Sequence, residues 1–168
     1  QKNWQNAFSD TITSFAELAQ ALDLPIDSFD SQVGRFPLKV PRRFVQKMGK
    51  GDIHDPLLKQ VLPTFQETVQ VTGFVTDPLD EQHANPVKGI IHKYASRVLI
   101  PVTGACVVNC RYCFRQHFDY HENLPTQNDW RAISAYITAH PAINEVILSG
   151  GDPLSLSNRR LLEIFTTL

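Results

Sequence analysis

All three cysteines of the 168-residue chain, Cys106, Cys110 and Cys113, fall within eight residues in the order C-x3-C-x2-C. An odd number of thiols so close together cannot staple distant parts of a chain, so the fold must rest on packed apolar cores. Clustered thiolates are soft ligands that select zinc, copper(I) or the iron of an iron–sulfur centre. Reduced thiols also predict a cytoplasmic location. Two donor sets fit the spacing. Three thiolates can hold three irons of a [4Fe–4S] cube and leave the fourth iron open to a small chelating molecule. Alternatively, His117 completes C-x3-C-x2-C-x3-H and closes a structural Cys3His zinc site.

Context favours the cluster. Arg97-Val98-Leu99-Ile100-Pro101-Val102 is an apolar run with β-branched residues, read as a buried strand, and the cysteine loop follows it. Thr126-Gln127-Asn128-Asp129 resembles a capping box with Asp in place of Glu, and Trp130, Ile133 and Ile137 stripe the helix beyond it up to Pro141. Glu145-Val146-Ile147-Leu148 reads as a second buried strand, Ser149-Gly150-Gly151-Asp152-Pro153 as its C-terminal turn, and Asn158 onward as a second helix. The order β-loop-α-β-loop-α begins a parallel α/β sheet or barrel, in which loops at the strands' C-terminal ends carry the chemistry.

Upstream, Phe15, Leu18, Ala19 and Leu22 lie on one helical face, with Thr13 or Ser14 as cap and Pro25 beyond the end. Pro37 to Pro41 reads as extended, Arg42–Met48 as a short helix closed by Gly49, and Asp55-Pro56 as a cap leading Leu57, Leu58, Val61 and Leu62. Residues 63–96 look irregular. The expected division is therefore a helical and irregular extension over 1–96 that wraps a barrel, and the first part of that barrel over 97–168. A formal charge of −1 and pI near 6.6 argue against a bulk electrostatic binder of nucleic acid or membranes.

The residues also carry a resemblance. C-x3-C-x2-C after the first strand, with aromatic Tyr112 before the last cysteine, is similar to the radical S-adenosylmethionine superfamily. More narrowly, His92-Lys93-Tyr94-x-x-Arg97-Val98-Leu99, Phe114-Arg115-x-His117, Ser149-Gly150-Gly151-Asp152-Pro153-Leu154 and Asp77-Pro78-Leu79-x-Glu81-x-x-x-x-Pro86-Val87-x-Gly89 resemble the lysine 2,3-aminomutase family. Within it, Cys113-Phe114-Arg115-Gln116-His117-Phe118-x-Tyr120 is most similar to the branch that makes β-lysine for modification of elongation factor P.

The resemblance implies an isomerase that moves the amino group of L-α-lysine from carbon 2 to carbon 3. A [4Fe–4S] cluster on Cys106, Cys110 and Cys113 would bind S-adenosylmethionine at its open iron and cleave it to a 5′-deoxyadenosyl radical. The substrate would react as an imine of a second cofactor, pyridoxal 5′-phosphate. It further implies that Tyr112 lies near the adenine, and that Ser149, Gly150, Gly151 and Asp152 receive the methionine amino group. Glycines there would let backbone approach the ligand. Lys93, Tyr94 and Arg97 match positions that contact pyridoxal phosphate, and Arg115 matches the residue that pairs with the substrate carboxylate. Lys93 stands where the family often has Arg, which is not an equivalent group. If the chain is extended there, Lys93 and Arg97 share one face.

The family's Schiff-base lysine is expected beyond residue 168. The 72 residues from Arg97 suffice for two βα units, so the chain is expected to be part of a longer protein. Implied partners are lysine, a reductant such as flavodoxin or ferredoxin, and a functional link to elongation factor P and its lysyl ligase. A homo-oligomer is compatible with the resemblance. Two alternatives stay open: an aminomutase of free-lysine catabolism, and a Cys3His zinc-stapled binding module. His117 and His121 are read as loop or core histidines rather than ligands, and His54, His83, His92 and His140 carry no signal.

Overall fold

Strand β4 (Arg97–Thr103) is the hub of a three-stranded sheet ordered β3-β4-β5, with β3 spanning Ile91–Tyr94 and β5 Glu145–Gly150. The computed structural model describes residues 9–30 and 36–168. These divide into two compact units, one of residues up to Phe74 with Val107–Gln116, the other of Val75–Cys106 with His117–Leu168.

In the second unit β4 and β5 run parallel, with Val98 opposite Val146 and Ile100 opposite Leu148. Two parallel neighbours need a crossover. It is supplied by a short helix α3 (Tyr120–Asn123) and by α4 (Asp129–Ala139), and α5 (Asn158–Thr167) follows β5. The unit is mixed α/β, in the order expected from the pattern. Val98, Ile100, Trp130, Ile133 and Ile164 form its core with Ile90. Asp129 reaches back as the capping pattern suggests. Its carboxylate accepts from both the amide and the hydroxyl of Thr126 at 2.7 Å, which lowers its pKa. The Ser157 hydroxyl accepts from the Arg160 amide at the start of α5.

Two expectations need correction here. The irregular reading of residues 63–96 misses β3, which pairs antiparallel with β4, placing Ile91 opposite Leu99 and Tyr94 opposite Arg97. The buried reading of β5 is also wrong: Val146 and Leu148 are only half-buried and Ile147 is 36% exposed.

In the first unit, α1 (Phe15–Leu22) buries Leu18, Ala19 and Leu22 as the stripe predicts. Asp23 ends it in the left-handed conformation at φ 54°. Strands β1 (Thr11–Ile12) and β2 (Val40–Pro41) pair antiparallel. The helix expected over Arg42–Met48 is only α2 (Arg42–Val45), which continues as single turns through Lys47 and Met48. Asp55 caps as expected, its carboxylate accepting from the amides of Gly49, Leu57 and Leu58 at 2.8–2.9 Å. What it caps is a 3-10 turn, Leu58–Gln60. Ile12, Leu18, Leu22, Val40, Val45, Leu58 and Val61 close this core. Among the described residues no helix is long and apolar enough to cross a membrane.

Candidate functional site

At the C-terminal ends of β4 and β5 two loops lock together through their backbones. The Gly151 amide donates to the Thr103 carbonyl at 2.6 Å, and the Asp152 amide to the Ala105 carbonyl at 2.8 Å. A Cβ on Gly150 would stand 2.3 Å from the Thr103 oxygen, and one on Gly151 2.3 Å from the Ala105 oxygen. Gly150 also holds φ 108°, which side chains rarely adopt. The two glycines therefore let the loop after β5 rest on the residues just before Cys106. Asp152 accepts from the Leu154 amide at 3.0 Å and opens a 3-10 turn with Pro153 in its first position. Ser149 is the penultimate residue of β5, opposite Pro101. The Gly104 site faces the Tyr120 ring, which a Cβ would meet at 3.0 Å.

Residues 107–116 pack within the first unit. Two turns shape them, Cys113 amide to Cys110 carbonyl at 3.1 Å and Gln116 amide to Cys113 carbonyl at 3.3 Å. The Asn109 amide donates to the Lys39 carbonyl at 2.9 Å and the Arg111 amide to the Gln60 carbonyl at 2.8 Å. Tyr112 is 72% exposed. The negative charge of a Cys110 thiolate beside it, and a hydrogen bond to that sulfur, push the phenol pKa up. Arg115 is buried, its guanidinium 4.8 Å from the centre of the Phe114 ring.

None of the three cysteines forms a disulfide, and each is half-buried. Among the described residues no three His, Cys, Asp or Glu side chains are gathered as metal ligands. The donor chemistry nevertheless fits a soft centre: three reduced thiols in one loop.

The remaining predicted residues sit at the other end of β4, about 20 Å from Thr103 at a strand's rise per residue. The conditional expectation that Lys93 and Arg97 share an extended face is overturned, because the chain turns back at Ala95 and Ser96. Tyr94 instead faces Arg97 across the hairpin, with the guanidinium 5.9 Å from the ring centre. Arg97 pairs with Glu145 on the neighbouring parallel strand at 3.1 Å. Lys93 donates to the Leu79 carbonyl, and its charge helps hold the Asp77 carboxyl below the usual range. Burial works the other way on Asp77. Burial has the largest single effect, but the Gln82 and Glu81 amides, then Lys93 and the Leu79 amide, together outweigh it.

Sequence reasoning missed Arg111 and Glu67. The Arg111 guanidinium, nearly buried, is held by the Glu67 carboxylate through two of its nitrogens. Only the presence of a charged residue between two cysteines hinted at it.

Comparison with known proteins adds two findings. A family described as "4Fe-4S single cluster domain" matches residues 95–168, which implies an iron–sulfur cluster. The chain is 44% identical over 164 residues to the L-lysine 2,3-aminomutase of Haemophilus influenzae, covering 96% of this chain and 48% of that protein. It is 43% identical over 173 residues to that of Escherichia coli, covering 100% and 50%. Against that of Buchnera aphidicola the identity is 37% over 172 residues, covering 100% and 51%. The chain belongs to the lysine 2,3-aminomutase family. It spans about half the length of these aminomutases. Their name is that of an isomerase.

Proposed function

We propose that the protein carrying this chain is a radical S-adenosylmethionine isomerase that converts L-α-lysine to β-lysine, in the cytoplasm, for β-lysylation of elongation factor P. The observation that carries the reading is the C-x3-C-x2-C loop after β4, preceded by residues on which the Gly150-Gly151 turn of the parallel neighbour rests. Identity of 43–44% across nearly the whole chain to proteins named for this reaction supports it. The elongation factor P branch rests on the segment from Cys113 to Tyr120.

In this reading Cys106, Cys110 and Cys113 hold a [4Fe–4S] cluster and leave one iron for S-adenosylmethionine. When bound, the reduced cluster supplies the electron that generates the initiating radical, and pyridoxal phosphate supplies the group through which the amine migrates. The chain's own residues bind and orient. Tyr112 offers an exposed aromatic face for the adenine. Ser149, Gly150, Gly151 and Asp152 present backbone and carboxylate oxygen to an ammonium. Arg115 offers a planar fork to the lysine carboxylate. Arg97, Tyr94 and Lys93, at the hairpin between β3 and β4, would hold the pyridoxal phosphate. The strands β4 and β5 begin a partial parallel barrel, and a small reducing protein such as flavodoxin or ferredoxin donates the electron.

The test is anaerobic incubation of the intact protein with lysine, S-adenosylmethionine and pyridoxal phosphate, with products resolved by chirality. β-Lysine formation that requires both cofactors is the expected result. S-Adenosylmethionine cleavage without β-lysine would replace the aminomutase reading with another radical reaction.

A further inference from the structure

Arg111 sits between the second and third cysteines, yet its side chain is only 8% exposed. Its Nε donates to Glu67 Oε1 at 2.8 Å, its Nη2 to Glu67 Oε2, and its Nη1 to the Phe36 carbonyl at 3.0 Å. The guanidinium also lies 5.1 Å from the centre of the Phe36 ring. Glu67 is fixed in turn: its Oε1 accepts from the Thr64 amide at 3.2 Å, in a capping box at the start of the turn Phe65–Thr68. A surface pair with side chains free to wander contributes little. This pair is bidentate, largely removed from water and braced on both sides, the arrangement in which a charge pair holds geometry.

We propose that the Arg111–Glu67 pair positions the cysteine loop and balances its charge, so that a cluster on Cys110 and Cys113 is anchored beside a neutral ion pair rather than a bare cation. The inference rests on the cluster reading above. Both residues act through the loop, so they are positioning residues. Arg111 is covalently next to one thiolate ligand, and its backbone amide is tied to the Gln60 carbonyl at 2.8 Å. Losing either partner therefore leaves an opposite residual charge at a fixed place. An extra cation near a cluster favours its reduced form, and an extra anion disfavours it.

The experiment is a redox titration, followed by EPR at one fixed pH, on the intact anaerobically reconstituted protein. Variants are Glu67→Gln, Arg111→Met and Arg111→Lys, with circular dichroism confirming the fold. Glu67→Gln should raise the cluster's midpoint potential and Arg111→Met should lower it. Arg111→Lys, which keeps the charge but not the fork, should leave the potential near wild type and lose iron to a chelator several-fold faster. Shifts of the same sign in the first two variants, or none, would overturn the proposal. Glu67→Gln is nearly isosteric with wild type and decides alone if Arg111→Met does not fold. Wild-type protein that assembles no cluster would instead overturn the functional reading.

Discussion

The Gly151 Cα lies so close to Ala105 that a Cβ there would stand 2.3 Å from the Ala105 carbonyl oxygen and 2.6 Å from its carbon. Backbone on backbone leaves no flexible side chain to yield. Gly151→Ala should therefore push apart the two loops that meet before Cys106. The expected cost is roughly 1–3 kcal/mol or more in urea denaturation, with reduced iron content after reconstitution. A fully occupied cluster at wild-type stability would show that the glycine serves a ligand alone.

Asp55 gives the first unit an acid-sensitive joint. The Gly49 and Leu58 amides, and less so Leu57, hold its carboxyl below its usual pKa, against a small opposing effect of burial. A lowered folded pKa means that the carboxylate's contribution to stability is complete above the unfolded value, about 3.9. It is lost as pH falls through the folded value. Asp55→Asn should lower stability near pH 7 and flatten its decline toward roughly pH 3, as read by denaturant midpoints across that range. An unchanged acid limb would contradict the capping role.

Much of the fold was legible, for identifiable reasons. Leu18, Ala19 and Leu22 repeat at helical spacing, so their face is set by geometry alone. β4 and β5 stood out because apolar β-branched runs are bounded by turn residues. β3 was not legible, because His92, Lys93 and Tyr94 lack alternation and the strand exists through its pairing with β4. That hairpin also put Lys93 and Arg97 on different strands. Gly150-Gly151 was legible as a motif, but the backbone at Thr103 and Ala105 that it touches was not. The Arg111–Glu67 pair joins residues 44 apart that carry no local signal.

Arg97 is ion-paired with Glu145, but both side chains are about half exposed. Such a pair contributes at most about 1 kcal/mol. Arg97→Gln should therefore leave the melting temperature nearly unchanged. If Arg97 holds the cofactor phosphate, the same variant should bind pyridoxal phosphate at least about tenfold more weakly, the loss of one charge-assisted fork. Unchanged affinity in an absorbance titration would remove Arg97 from the cofactor site.

Ile133 is fully buried in α4, and its Cδ1 would lie 3.1 Å from a Cβ built on Gly89. Ile133→Ala opens a cavity beneath β4 and should cost about 2–5 kcal/mol. The loss should appear as a lowered denaturant midpoint. A cost below about 1 kcal/mol would contradict a tightly packed core at this position.

The most direct test of the account is metal analysis of the intact protein after anaerobic reconstitution, with and without S-adenosylmethionine. The protein should be brown, with about four irons and matching sulfide per chain, and after reduction with dithionite its EPR signal should change when S-adenosylmethionine binds the open iron. Replacing Cys106, Cys110 or Cys113 with Ser should abolish it. A colourless protein holding one tightly bound zinc, lost on His117→Ala, would contradict it.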